Sequence, residues 1–340
     1  MSKILFHSDI HFNLYREFSE GETGRLDRII EVEKTIITYA LDYGIKDLVF
    51  LGDWFHNRSQ LNVLVLQKTL ELMYQNLSND LRFYFLVGNH DQYDSSGQVH
   101  SLYPFKMLGK VADLPCYIKV GDKLIGFIPY QVNRDQLLRD IESLLRGQKV
   151  DLLCLHQGVQ EAKLPNGMAA GDESFLSLSE LPDDLPIISG HIHKPQVLDN
   201  LLYIGAPLQH SFGDAGDRRG WYVLDDDGEF EFIENNFSPR FYKLEMREGK
   251  IDIPGTVDDY YWITTDGEVE EVKKQLSDFK NLRIDTFPKA VMNNSRVIEK
   301  DKTFDQMIDE YVEGTLADTE AHELVKKYGK EVLHKAVCFK

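Results

Sequence analysis

Along the first 155 positions, apolar residues fall alternately into short unbroken runs and into stripes of helical period. Lys3–Ser8 is such a run and predicts a buried strand. From Leu26 the apolar positions are Leu26, Ile29, Ile30, Ile36, Ile37, Ala40 and Leu41, one face of a helix that Gly44 stops. Asp47–Leu51 predicts a second strand, and a helix follows through Leu61, Leu64, Val65, Leu72 and Met73. Leu81–Val87 predicts a third strand. Strand, helix, strand, helix, strand implies right-handed crossovers and a parallel sheet. Further on, Tyr117–Val120 and Leu124–Ile128 read as a hairpin turning at Gly121-Asp122. Asp135–Leu145 carries Leu137, Leu138, Ile141, Leu144 and Leu145 on one side of a helix. Strands are expected at Asp151–Leu155, Leu185–Ile188, Leu201–Ile204, Trp221–Leu224 and Phe230–Ile233, with Asp225-Asp226-Asp227-Gly228 as a hairpin turn. The fold class is α/β.

The pattern changes near Pro239. Residues 1–238 form one expected domain. Residues 239–288 hold a strand-like Tyr260–Thr264, a charged helical stretch through Val269, Val272 and Leu276, and a strand at Leu282–Asp285, enough for a small α/β cap. Residues 289–302 are polar and read as a linker. In 303–340, Phe304, Met307, Ile308, Tyr311 and Val312 make one helical stripe, and Leu324, Val325, Tyr328, Val332 and Leu333 make a second beyond Gly314. Two helices this small cannot bury both stripes against each other. They are read as a partner-binding arm, the alternative being a hairpin that closes the protein's own surface.

Charge and composition narrow the function. Lys and Arg number 38 against 56 Asp and Glu, a net charge of −18, so the whole surface cannot be a polyanion-binding face, although a local basic groove remains open. Cys116, Cys154 and Cys338 lie far apart without a Cys-x-x-Cys pair, which argues against a disulfide framework or a cysteine-zinc knuckle. No apolar run approaches the roughly 18 residues of a membrane span. The chain enters a strand-like run at Lys3 and reaches Asp9 at once, unlike a signal peptide. The expected compartment is the cytoplasm.

Five apolar runs each end in groups able to bind a metal. They lead into Asp9-Ile10-His11, Gly52-Asp53-Trp54-Phe55-His56, Gly88-Asn89-His90-Asp91, His156, and Gly190-His191-Ile192-His193. One aspartate after a strand is ordinarily a turn residue, and one histidine ordinarily a satisfied surface or core group. Five such ends in register are not explained that way, and in open sheets sites gather where the carboxyl ends of strands meet exposed loops. Carboxylate, amide and imidazole without thiolate favour manganese, iron, zinc or magnesium. A carboxylate such as Asp53 can bridge two cations about 3.5–4 Å apart, an arrangement that generates hydroxide and neutralises a reacting phosphate. The chemistry is phosphoester hydrolysis.

In this order, Asp9-x-His11, Gly52-Asp53, Gly88-Asn89-His90-Asp91, His156 and Gly190-His191-x-His193 resemble the calcineurin-like metallophosphoesterases, over about residues 1–240. The segment Gly52-Asp53-Trp54-Phe55-His56 is similar to the nuclease signature within that superfamily, and Gly205–Gly213 to the stretch after the last ligands in SbcD/Mre-type DNA-repair nucleases. The length is most like that of their compact bacteriophage members. Phe12-Asn13 departs from the Leu-Gly pair common after the first motif. The resemblance implies a β-sandwich flanked by helices, with a DNA-contacting cap. One metal would be held by Asp9, His11, Asp53 and His193, and a second by Asp53, Asn89, His156 and His191. It implies that His90 assists the leaving oxygen and that His56 positions the phosphate. Asp91 would either orient His90 or a ligand, or serve only as a turn residue. The implied cofactors are two Mn²⁺, with Mg²⁺ as the substitute. The implied activity is exonucleolytic on duplex DNA ends and endonucleolytic on single strands, in double-strand-break processing, recombination and replication. Implied partners are DNA, a coiled-coil SbcC/Rad-type ATPase and a second copy of the chain. Arg58, Lys163, Lys194, Arg218 and Arg219 are candidates for a phosphate-binding rim. The alternatives are a phosphoesterase for small phosphodiesters or phosphoproteins, and a scaffold without catalysis; the seven intact ligand positions count against the scaffold.

Overall fold

The computed structural model describes residues 3–18, 23–77, 80–164 and 176–287. Strands β1 (Ile4–His7), β2 (Asp47–Phe50), β3 (Arg82–Leu86) and β4 (Lys110–Ala112) run parallel side by side, with helices α1 (Leu26–Asp42) and α2 (Val63–Asn76) as crossovers. The antiparallel pair β5 (Cys116–Val120) and β6 (Lys123–Ile128) starts a second sheet, and α3 (Arg134–Gly147) leads into β7 (Leu152–Leu155). Strands β8 (Ile187–Ser189), β9 (Gln196–Leu198) and β10 (Leu201–Tyr203) complete it in the order β5-β6-β7-β8-β10-β9. The chain then returns to the first sheet as a hairpin, β11 (Gly220–Leu224) and β12 (Phe230–Glu234), giving the order β12-β11-β1-β2-β3-β4.

The period-2 alternation of strand side chains decides the layers. Ile4, Phe6, Val49, Leu51 and Leu86 of the first sheet meet Ile118, Ile125, Phe127, Cys154 and Ile188 of the second in one buried core. On the opposite face Leu5, Leu48 and Phe50 pack against Ile29 and Ile36 of α1 and Val65 and Leu72 of α2. Beyond the second sheet, Leu153, Leu155 and Ile187 pack against Leu137, Ile141 and Leu144 of α3. The result is a helix–sheet–sheet–helix sandwich, the α/β class the pattern implied. Covering both faces of the central strands explains why they read as unbroken apolar runs, and each fully buried Phe or Leu contributes about 1.5–3 kcal/mol. Asn62 caps α2 by accepting from Leu64 N–H at 2.9 Å, and Asn133 caps α3 through Gln136 N–H at 2.9 Å.

Strands β13 (Phe241–Met246), β14 (Tyr260–Thr265) and β15 (Leu282–Thr286) form a small parallel sheet, with α4 (Val269–Gln275) between the last two. Met246, Tyr261, Ile263, Val272 and Leu276 make its core. Phe241 and Tyr260 pack on Phe212, and Phe18 joins them, which seats this sheet on the loops of the sandwich. The linker 289–302 and the helices expected in 303–340 lie outside the described residues. Among the described residues no helix is long and apolar enough to cross a membrane.

Candidate metal centre

The loops that follow β1, β2, β3, β7 and β8 converge at one end of the sandwich. The first two remain paired beyond their strands: Asp9 N–H donates to Gly52 O at 3.0 Å, His11 N–H to Asp53 O at 3.0 Å, and Phe12 N–H to Trp54 O at 2.8 Å. Asp9, His11, Asp53 and His191 all have left-handed backbone, with φ of 53°, 50°, 61° and 78°. Non-glycine residues accept such strain only where the surroundings enforce it, and it gathers at functional sites. Two glycines make the convergence possible. A Cβ on Gly52 would lie 2.2 Å from His156 Nδ1, and one on Gly88 would lie 2.3 Å from Asp53 Oδ1.

Asp53 stands in the middle. Its Oδ2 lies 3.6 Å from His11 Nε2, and its Oδ1 lies 3.4 Å from His156 Nε2. On the first side, His11 Nε2 is 3.1 Å from His193 Nε2, and His193 Nε2 is 3.8 Å from Asp9 Oδ1. On the other, Asn89 Oδ1 is 3.0 Å from His156 Nε2 and 2.9 Å from His191 Nδ1. Asp9–His11–His193 and Asp9–Asp53–His156 each cluster tightly enough to hold a cation. All seven residues expected to be ligands are therefore brought together, with the two oxygens of Asp53 facing different subsets.

The electrostatics call for positive charge. Burial opposes ionisation of Asp53, yet the charge and hydrogen bond of His156, with His11 and His90, hold its carboxyl well below the usual range. Burial also raises Asp9. It drives His11 well below its ordinary value and His191 down to about 3, so both present neutral imidazoles. His156 goes the other way. Burial disfavours its charge, but Asp53, Asp9 and the Leu51 carbonyl raise it to about 9. Its Nδ1 donates to Leu51 O at 2.6 Å, so Nε2 faces the oxygens of Asn89 and Asp53. A proton on Nε2 can satisfy them. So can turning the Asn89 amide, whose nitrogen would then donate to both rings while its oxygen accepts from Arg58 Nη2 at 2.8 Å. A divalent cation would satisfy both sides of Asp53 at once.

His56 and His90 stack at one edge, ring centroids 5.3 Å apart and 17° from parallel, and both cluster with His11. His90 N–H donates to Asp53 Oδ1 at 2.7 Å, and its Nδ1 donates to His56 O at 2.6 Å, which directs Nε2 elsewhere. Asp91 is more than a turn residue. Its Oδ2 accepts from Asp53 N–H and Gly88 N–H at 2.9 and 3.0 Å, and its Oδ1 from Phe55 N–H at 3.2 Å. It therefore holds the Asp53 loop, and not the His90 ring. Of the candidate rim cations, Arg58 is the one within reach of Asn89. Lys194 pairs with Asp217 at 3.0 Å and Arg218 with Glu234 at 2.7 Å. Arg219 is buried against Asp214 at 2.8 Å and Asp217 at 3.6 Å, so it is no part of an exposed rim.

Two supporting residues had no assigned role in the sequence. His210 Nε2 donates to Asp9 O at 2.9 Å, and Arg25 Nη2 donates to His210 O at 2.7 Å. His210 lies within Gly205–Gly213, which the sequence singles out without giving this residue a role, and nothing local marks Arg25.

The family model of the calcineurin-like phosphoesterases matches residues 2–195. The chain belongs to that family. Calcineurin-like phosphoesterases bind divalent metals, which agrees with the acceptor-rich centre around Asp53. Exonuclease subunit 1 of Enterobacteria phage T4 is 25% identical over 78% of this chain and 76% of its own. Putative phosphoesterase 244L of Invertebrate iridescent virus 6 is 25% identical over 83% and 89%. The SbcD subunit of the SbcCD nuclease of Staphylococcus epidermidis is 24% identical over 65% and 68%. Among solved structures, a novel archaeal phosphodiesterase aligns with a TM-score of 0.36 and 13% identity, over 68% of this chain and 99% of that one.

Proposed function

We propose that this phosphoesterase is a two-metal DNA nuclease subunit, exonucleolytic on duplex ends and endonucleolytic on single strands. The observation that carries the reading is the divided carboxylate of Asp53, one oxygen towards His11 and the other towards His156. Asp9, His11, Asp53 and His193 would hold one cation, and Asp53, Asn89, His156 and His191 the other; Mn²⁺ suits the mixed carboxylate, amide and imidazole set, with Mg²⁺ as a weaker substitute. Bound there, the cations would supply hydroxide at neutral pH and neutralise the reacting phosphate. With its Nδ1–H committed to the His56 carbonyl, His90 presents Nε2 to the substrate, and in its imidazolium form would give the Nε2 proton to the leaving oxygen and keep the one on Nδ1. His56 stacks beside it and can donate to a non-bridging oxygen.

That two relatives are named as nuclease subunits supports DNA as substrate and a second subunit as partner. The partner in this reading is a coiled-coil SbcC/Rad-type ATPase, the setting is cytoplasmic double-strand-break repair and recombination, and the nuclease pairs with its own copy. The test is incubation with manganese and three substrates: linear duplex, circular single strand and a small chromogenic phosphodiester. Cleavage of both DNAs is expected, the circle reporting endonucleolytic attack. Hydrolysis of the small ester alone would return the function to small phosphodiesters.

A further inference from the structure

A cleft of about 390 Å³ opens between the loop after β1, the start of α1 and the edge of the small sheet. Arg16, Arg25, Arg28 and Lys280 line it, in a chain whose net charge is −18. Asp258 is the one carboxylate among the described lining residues, and Glu17 adds negative charge near Arg25. Arg28 Nη2 lies 4.0 Å from Asp258 Oδ1, with both side chains more than half exposed, so water and salt screen that pair heavily.

Two further features point to an anion. Helix α1 begins in this cleft with Arg25 as its N-cap, whose side chain makes no capping hydrogen bond; Leu26, Arg28 and Ile29 N–H are bonded to the Thr23 and Arg25 carbonyls, and Asp27 is the acidic residue of the first turn. The start of a helix carries partial positive charge, so Arg25 and Arg28 there are of the unfavourable sign; Asp27 offsets part of that cost but is itself paired with Lys68 at 2.8 Å, and a bound anion would offset more. Arg25 is also rigidly held. Its guanidinium carbon lies 4.8 Å from the Tyr15 ring centroid, 5.1 Å from that of Phe241 and 5.2 Å from that of Tyr260, and Nη2 donates to His210 O. These same contacts tie it to the metal centre, because the Tyr15 and His56 rings are 5.1 Å apart and His210 donates to Asp9 O.

We propose that this cleft takes backbone phosphates of the strand whose scissile phosphate lies at the metal centre, so that the enzyme reads a polynucleotide and not an isolated phosphodiester. The inference rests on the nuclease reading above, but it fails separately.

Arg25 lies beneath three rings, so the test uses the exposed pair, Arg28→Ala with Lys280→Ala, and a charge-matched control, Arg146→Ala with Lys149→Ala, at the far end of α3. Binding of a labelled single-stranded oligonucleotide is measured by anisotropy in EDTA over a range of salt. The cleft variant should bind at least about tenfold more weakly, and its log–log salt slope should shrink by about 1.4, the value for two lost phosphate contacts on a single strand. The control should match the natural chain. With manganese, kcat/KM on the oligonucleotide should fall at least about tenfold further than on bis(4-nitrophenyl) phosphate. Inorganic phosphate should compete only weakly if a polymeric backbone is the ligand. Unchanged oligonucleotide binding and salt slope, an equal loss in the control, or equal losses on both substrates would overturn the proposal. If the natural chain hydrolyses the small ester and cuts no DNA, the nuclease reading fails, and the binding measurement still decides the cleft.

Discussion

Asp91 holds Asp53 by its backbone. One carboxylate oxygen of Asp91 accepts the N–H groups of Asp53 and Gly88, while the other accepts that of Phe55. In Asp91→Asn one of these oxygens becomes an NH₂ group facing donors. The loss should be about 1–3 kcal/mol of folding stability, the cost of buried donors left unpaired. Urea unfolding of the two proteins at one pH measures it, and a variant as stable as the natural chain would show that the brace carries no weight.

Asp53→Ala removes the group common to both halves of the centre. Manganese affinity should fall at both positions, and phosphodiester cleavage should drop at least ~10³-fold, about 4 kcal/mol of transition-state stabilisation. Elemental analysis together with a cleavage assay reads both quantities. Near-normal manganese-dependent turnover would remove Asp53 from the bridging position.

His90 should behave differently, since its ring nitrogen donates to His56 O. His90→Asn is expected to keep two manganese ions and to bind DNA, while cleavage falls by roughly 10²–10⁴. Loss of one metal equivalent would make His90 a ligand.

Behind the centre, His7 Nδ1 and Glu33 Oε2 face one another at 3.5 Å, both buried. Burial pushes Glu33 from 4.5 up to about 8, so its stability contribution is complete below pH 4.5 and is lost as the pH rises through 8. Burial pulls His7 from 6.5 down to about 3, so its contribution is complete above pH 6.5 and is lost as the pH falls through 3. Together they give a plateau between about pH 4.5 and 6.5, with a decline on either side. Glu33→Gln should remove the decline between about pH 6.5 and 8 and leave the acid side in place. Denaturant unfolding across that range checks it; an unaltered alkaline slope would clear Glu33 of the effect.

The reading of residues 303–340 as a partner-binding arm gives the last expected outcome. Deleting residues 300–340 should leave manganese-dependent cleavage of single strands intact while abolishing co-purification with the coiled-coil ATPase and ATP-stimulated duplex resection. Aggregation of the shortened chain would assign these residues to its own core, and retained ATPase binding would move the docking surface elsewhere.

Much of this architecture is legible in the sequence because the central strands are covered on both faces. Phe50 and Leu51 point to opposite cores, so their run is apolar throughout. By contrast β4 and β9, three residues each at sheet edges, have partly exposed side chains and give no such run. The expected ligand positions stand out because each lies just beyond the end of a strand. What supports them does not stand out: Asp91 reaches Asp53 across 38 positions and His210 reaches Asp9 across 201, contacts that only the assembled fold creates. The candidate rim failed at Arg219 for the same reason, since sequence adjacency to a motif loop says nothing about which way a side chain is buried.

Asp9, Asp53 and Asn89 issue from the first sheet, and His156, His191 and His193 from loops of the second. A cation pair held between them would act as a rivet through the seam of the sandwich. The free energy of metal capture would then also be free energy of cohesion between the two sheets. Chelation should reach beyond activity and lower the melting temperature of the protein, because withdrawing the rivet leaves the sheets joined at that end by apolar packing and by the contacts of Asp53 with His156 and of Asp9 with His193.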